Sequence, residues 1–439
     1  MSQIWLSIVG FLVVFGIIFA IMSKRLTTVI ALAVIPLIGA ILVGKFNEIP
    51  AYMSAGISKV AVNGVMFFFA VLFFGTMMTA GAFDPVVKFI VKCCKGNPLY
   101  ICIGTYVLSI IGHLDGSATT TVLLVCGVMV PIYKKMNMRL RNLACILAMG
   151  SGLMNMSPWG GPTLRAATVM DIELNTFFKP MLVPILITLA IGLIPVIFLG
   201  LAENKRLKAA GFEYHKVEIS SGEEEMSEDE RALRRPKMTI PNLIVIVAVI
   251  ALMISGILTP GAAFLLGTVL AWMLNYRSLA DQQKIMRLHG PNMVFVVSAL
   301  YGAGVLMGVL TNSGMAAAMA NTLVSLIPAS LTKFVPVFVG ALATPLSLVF
   351  DADTFYYGIL PVLTQSAAAL GISGSGICYA ALVGQLTLGW AITPLTPATL
   401  LMCGMCDLNL GDHQKFTLKF VWPLSIVLLI IMMIFGLIF

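Results

Sequence analysis

Two ionisable sequences lie inside long apolar runs: His-Leu-Asp-Gly-Ser-Ala-Thr-Thr-Thr at 113–121 and Phe-Asp-Ala-Asp-Thr at 350–354. A carboxylate in hydrocarbon costs about 3 kcal/mol or more, so Asp115, Asp351 and Asp353 need partners or a task that repays the cost. Three chemistries suit them. They can hold a hard cation such as Mg²⁺ or Ca²⁺, which prefers carboxylate and hydroxyl oxygens. They can carry a proton, which two carboxylates sharing a low-dielectric site do readily. They can also neutralise a buried cation. Asp115, with His113 two residues away, is the first candidate for proton coupling; His113 serves equally well as a hydrogen-bonding anchor of the turn.

A second pair of signals follows each of these sequences: Asn155-Met-Ser-Pro-Trp-Gly-Gly-Pro162 and Ala391-Ile-Thr-Pro-Leu-Thr-Pro397. Proline removes a helix donor and clashes with the preceding turn, so two prolines among small or polar residues unwind the segment. The break frees backbone carbonyls and leaves a new helix N-terminus inside the protein. Arg165, just past the first break, is the only arginine within an expected span. Its permanent charge and forked donors suit a carboxylate, so the pattern points to an anionic ligand; pairing with one of the aspartates is the alternative. The candidate site thus comprises His113, Asp115, Gly116, Ser117, Thr119, Asn155, Ser157, Trp159, Gly160, Gly161 and Arg165 from the first half. The second half contributes Asp351, Asp353, Thr354, Thr393, Thr396 and Thr399. Three carboxylates face one arginine, so an anion entering this site must bring protons or a metal cation with it.

The elements that position these residues are membrane helices. The chain has 439 residues, 59% hydrophobic and 10% charged, against about 25% charged in soluble domains. Spans are expected at 3–22, 26–44, 58–80, 142–170, 176–200, 240–257, 259–275, 292–312, 374–405 and 416–438, those at 142–170 and 374–405 being broken. The stretches 99–133 and 334–371 read instead as re-entrant hairpins with Asp115 and Asp351/Asp353 at their tips, tolerable at membrane depth only where protein or water surrounds the turn.

The halves repeat at a spacing of 236 residues. Asp115 falls on Asp351, Ser157 on Thr393, Pro158 on Pro394, Thr163 on Thr399 and Asp171 on Asp407. Five crossings separate equivalent helices, so the repeat is inverted. The fold class expected is an all-α polytopic membrane protein: an inverted repeat with two re-entrant hairpins and two broken helices, the plan of a secondary transporter. Basic residues at the span ends put both termini outside and the charged stretch 203–238 in the cytoplasm. That stretch reads as a solvated linker between the halves.

Other classes fit poorly. The net charge of +8 comes from basic residues at span ends, not from a patch for nucleic acid. The eight cysteines sit mostly in apolar segments as small hydrophobes, and Cys403-x-x-Cys406 lacks the second ligand pair of a structural zinc site. No basic region precedes the first apolar run, which reads as a membrane helix and not as a cleaved leader. A membrane hydrolase would need a constellation such as His-Glu-x-x-His, which is absent; Gly411-Asp412 is weak support for an aspartyl site. No enzyme activity is expected. Paired inverted hairpins suit alternating access better than a continuous pore.

Four motifs carry a family resemblance: Gly-His-Leu-Asp-Gly-Ser-Ala-Thr-Thr-Thr at 112–121, Ser-Pro-Trp-Gly-Gly-Pro-Thr-Leu-Arg-Ala-Ala-Thr at 157–168, Asp-Ala-Asp-Thr-Phe-Tyr-Tyr-Gly at 351–358 and Thr-Pro-Leu-Thr-Pro-Ala-Thr at 393–399. In these the chain resembles the citrate–Mg²⁺:H⁺ / citrate–Ca²⁺:H⁺ symporter family of the ion transporter superfamily. The resemblance implies proton-driven uptake of citrate complexed with a divalent metal across the cell membrane, without a prosthetic group. It implies a homodimer working as an elevator. In that scheme 99–170 and 334–405 move, and 1–80, 176–200, 240–312 and 416–438 form the scaffold. Arg165 would meet a citrate carboxylate, and Asp115, Asp351 and Asp353 would share metal and proton work. The rival readings are an H⁺- or Na⁺-coupled carrier of another organic anion, such as gluconate or a dicarboxylate, and a cation/proton antiporter.

Overall fold

The structure, a computed structural model, describes residues 2–23, 25–94, 96–211, 228–326 and 332–439. Lys24 and Lys95, two of the basic residues at span ends that set the expected orientation, and the linker core 212–227 lie outside the described residues. Those described form helices and no strand.

The first half runs α1 (Gln3–Met22), α2 (Thr28–Leu42), α3 (Ile49–Ala80), α4 (Asp84–Cys94), α5 (Pro98–Gly112), α6 (Ala118–Lys135), α7 (Leu140–Met154), α8 (Gly161–Met170) and α9 (Leu174–Ala209, three short helices end to end). The second runs α10 (Thr239–Ile254), α11 (Pro260–Asn275), α12 (Leu279–Asn312), α13 (Met315–Leu326), α14 (Val335–Leu346), α15 (Leu360–Ala369), α16 (Gly374–Leu382), α17 (Pro397–Met405) and α18 (Leu410–Ile434). Each element of the first half thus has a counterpart nine labels on. The match reaches the backbone: Asp171 and Asp407 end α8 and α17 in the same left-handed conformation (φ 56° and 52°). Chain reversals fall where the sequence caps helices. Asn97 and Ser117 accept from backbone N–H groups at the starts of α5 and α6, and Pro162 and Pro397 sit in the first turns of α8 and α17, where a missing donor costs nothing.

Two groups of helices pack among themselves. In one, α3 crosses α12 and α11, α12 packs on α2, α1 on α2 and α10 on α11. In lipid such contacts rest on close approach of backbones: a Cβ on Gly56 would collide with Gly304 O, and one on Gly308 with Tyr52 O. In the other group α5 packs on α7 and α9, α6 on α17, α14 on α16 and α18, and α8 on α15 and α16. Two connectors join the groups. After Gly81 (φ 80°) α3 turns into α4, which lies on α5; after Gly314 (φ 81°) α12 bends by 72° into α13, which lies on α1 and α15.

The structure corrects several expected boundaries. The helix expected at 58–80 begins at Ile49, and that expected at 292–312 begins at Leu279. The helix expected at 176–200 continues to Ala209, so Glu203 is not a linker residue. Its buried carboxylate accepts Arg139 N (2.9 Å) and Arg206 Nε (3.1 Å). The connectors α4 and α13 were not foreseen. The segments 176–200 and 416–438, grouped above with the scaffold, have as packing partners α5, α7, α14 and one another.

Candidate functional site

At the first hairpin tip α5 stops at Gly112 and α6 starts at Ala118. Asp115 Oδ1 accepts Ser117 N (2.8 Å), closing an Asx turn. Gly116 takes φ 69° beneath Trp159, and Trp159 Nε1 donates to Leu114 O (2.7 Å). His113 Nδ1 lies 2.7 Å from Thr121 Oγ1, which itself donates to Ser117 O (2.8 Å). With the hydroxyl proton so used, Nδ1–H supplies the bond and Nε2 keeps its lone pair.

The second tip is built differently. Asp351 Oδ1 accepts Thr354 N (2.7 Å), opening a π-helical turn over Thr354–Ile359; such turns recur at functional sites. Gln385 of the second break holds this tip, donating from Nε2 to Phe350 O (3.2 Å), while Ser347 Oγ accepts Leu386 N (2.9 Å).

Three contacts draw the halves together. Arg165 Nε and Nη2 both donate to Asp353 Oδ1, at 2.8 and 2.7 Å, and both side chains are buried. Asn155 Nδ2 donates to Leu386 O (2.7 Å), so break meets break. The ring of His113 stacks on Trp390 at 6.1 Å and 11°. Arg165 folds back along α8, as helix side chains do, bringing Nη1 over Gly161 at the helix N-terminus. Its guanidinium also lies 5.7 Å from the Tyr357 ring centre.

Five buried side-chain atoms have no hydrogen-bond partner among the described residues: His113 Nε2, Ser157 Oγ, Thr163 Oγ1, Thr354 Oγ1 and Trp390 Nε1. Folded proteins pair nearly all such groups. All five belong to the hairpin tips and the broken helices. The hydroxyls of Ser157, Thr163 and Thr354 and the indole N–H of Trp390 can donate to an oxygen-rich anionic ligand, as can Arg165 and the first N–H groups of α8, which no helix satisfies; His113 Nε2, with its lone pair, can only accept.

The expected residues divide. His113, Asp115, Ser117, Asn155, Ser157, Trp159, Gly160, Gly161, Arg165, Asp353 and Thr354 lie in the tips and breaks joined by these contacts. Thr119 is exposed on the first turn of α6. Thr396 and Thr399 both donate to Trp390 O, at 3.2 and 2.8 Å, and Thr393 Oγ1 accepts Leu395 N. His413 Nε2 and Gln414 Nε2 take the carbonyls of Ala391 and Ile392, each at 2.8 Å. At the second break, where free carbonyls were expected, those of Trp390, Ala391 and Ile392 are therefore occupied. The three aspartates do not converge as a metal centre either. No group of three His, Cys, Asp or Glu at metal-binding spacing occurs among the described residues, because Asp353 serves Arg165 and Asp351 caps the π turn. Trp390, Thr163 and Gln385 were not foreseen. Thr163 had a signal in its match to Thr399; Trp390 aligns with Met154 and had none.

The family described as citrate transporter, CitMHS, matches residues 17–384. The chain belongs to the CitMHS citrate transporter family. Other proteins with this resemblance include the Citrate transporter of Bacillus subtilis strain 168, 37% identical over 435 residues and covering 99% of both chains. The Mg(2+)/citrate complex secondary transporter of the same organism is 34% identical over 433 residues, covering 98% of each. The CitMHS chain also shares its fold with two solved transporters. The Alcanivorax borkumensis YdaH transporter aligns with TM-score 0.62 at 14% identity over 89% of this chain and 88% of that one. Neisseria gonorrhoeae MtrF aligns with TM-score 0.59 at 13% identity over 88% and 84%. The chain is a multi-pass membrane protein of a transporter family.

Proposed function

We propose that this protein is a secondary transporter that takes up citrate as its complex with a divalent metal, Mg²⁺ or Ca²⁺, together with protons. The observation that carries the reading is Arg165 lying over the N-terminus of α8, on the same broken helix as the unpartnered hydroxyls of Ser157 and Thr163, at the junction of the two halves. A helix N-terminus and a guanidinium both favour a carboxylate, and the metal travels as cargo held by the citrate. The name of the Mg(2+)/citrate relative agrees with this. Asp115, with His113 beside it, remains the candidate for proton coupling.

In this reading α5–α9 and α14–α18 move as one unit against α1–α3 and α10–α12, with α4 and α13 as arms. This departs from the division implied by the resemblance, because α9 and α18 pack with the hairpins. We place both termini outside, the linker in the cytoplasm, and two copies in the working assembly. Uptake of labelled citrate into proteoliposomes tests the proposal. Accumulation should require Mg²⁺ or Ca²⁺ and collapse when the pH gradient is dissipated; accumulation indifferent to both overturns it.

A further inference from the structure

The pairing of Arg165 is unusual in one respect: both donated N–H groups address a single oxygen, Asp353 Oδ1. Side-on pairing would have used both carboxylate oxygens and closed the fork. Here Oδ2 accepts no hydrogen bond among the described residues, and Nη1 is turned toward Gly161 and the start of α8. The guanidinium thus holds a protein carboxylate by one edge and presents another edge to the anion-binding end of α8. Asp351 also lies within electrostatic reach of Asp353 and Arg165.

We infer that Asp353 is an internal stand-in for a substrate carboxylate on Arg165, and that it restricts the site to citrate carrying a divalent metal. This rests on the function proposed above. When citrate reaches α8, its carboxylate joins Asp353 on Arg165 or displaces it. Either event leaves the Asp353 charge facing a second negative group inside a buried site, with Asp351 adding a third. Uncompensated charges in such surroundings are strongly unfavourable. A metal-chelated citrate brings two positive charges into the same space and leaves Oδ2 of Asp353 a cation to face. Metal-free citrate brings only negative charge. Asp353 is therefore a specificity-determining residue, acting against the free anion more than for the complex.

The test is calorimetric binding to the purified full-length protein in detergent, using citrate with EDTA, citrate with excess Mg²⁺, and Mg²⁺ alone. The wild type should prefer Mg–citrate by about 30-fold or more and bind Mg²⁺ alone weakly. Asp353→Asn keeps a hydrogen-bond acceptor for Arg165 but removes the charge; it should bind free citrate within about 3-fold of Mg–citrate, mainly through tighter binding of the free anion. Asp353→Glu should keep the preference. A wild-type preference that survives unchanged in Asp353→Asn overturns the inference and leaves the proposed function standing. Absence of citrate binding to the wild type in either form removes both. Should Asp353→Asn fail to fold, as judged by size-exclusion profile, the paired Arg165→Gln/Asp353→Asn, which leaves no lone buried charge, replaces it. That variant should bind neither form, and retained preference for Mg–citrate overturns the inference.

Discussion

The two broken helices share a plan and differ in what surrounds them. The first is sealed: Trp159 is 6% exposed, packed between Phe74 of α3 and Phe264 of α11 at 4.9 and 5.5 Å. Beyond the break, Asn63 of α3 donates to Thr168 (3.2 Å) and Lys59 pairs with Asp171 (3.0 Å). At the second break Pro394 and Pro397 are exposed, and Leu395, the counterpart of Trp159, is 37% exposed. Gly404, the counterpart of Thr168, has open space beside it, and the positions matching Lys59 and Asn63 are Phe295 and Ala299. Duplication supplied two equal frames, and substitution then divided the labour. The first break carries the guanidinium and the polar contacts to α3; the second supplies Asp353's hairpin with a support whose own carbonyls are capped.

That division can be broken at graded strength. The largest effect belongs to Arg165→Met, which leaves Asp353 buried without its partner: a stability loss of about 3–5 kcal/mol and citrate uptake reduced below detection. Leu401→Met at the counterpart position should change stability by less than about 1.5 kcal/mol. Thermal unfolding in detergent and proteoliposome uptake distinguish the two, and equal effects would dissolve the asymmetry. Next comes Trp159→Ala, which empties an aromatic cluster and releases the first hairpin tip, at about 3–5 kcal/mol; Leu395→Ala should stay within about 0.5 kcal/mol. Thr168→Val removes the partner of a buried amide and should cost about 1 kcal/mol, read by the same melts. The smallest effect is Lys59→Met. Its ion pair is half exposed, so the change should be no more than about 0.5 kcal/mol and should vanish in high salt.

Much of this arrangement was legible in the sequence because it is written locally. Aspartates between apolar runs mark hairpin tips, paired prolines mark breaks, and the 236-residue spacing ties them together. The arms α4 and α13 escaped because they are short, and each is set off by one glycine in a left-handed turn after a long helix. The start of α12 escaped because that helix begins in polar sequence and becomes apolar later, and the start of α3 because Pro50, Ser54, Gly56, Ser58 and Lys59 interrupt its apolar run. Within the site, the residue types pointed to Arg165 and Asp353, but their mutual bond joins positions 188 apart. Nothing local encodes which of three aspartates faces the arginine. The capping of Ala391 and Ile392 by His413 and Gln414 was equally hidden, since it depends on how α18 enters beside the break.

The segment between the halves is fastened at both ends, and to different groups of helices. Glu203 and Arg206 tie the end of α9 to the start of α7 through Arg139 N, Asn142 and Asn137 O. On the far side Arg234 grips Asp84 beside Gly81 (2.6 Å), and Arg235 covers the Tyr276 ring at 4.9 Å. In the proposed movement these anchors travel relative to each other, which makes the chain between them a leash. Sixteen residues separate Gly211 from Glu228, and the greatest separation that the chain allows between its anchors is set by their number. Shortening that leash step by step would turn it into a ruler, with uptake failing at the length that first falls short of the stroke.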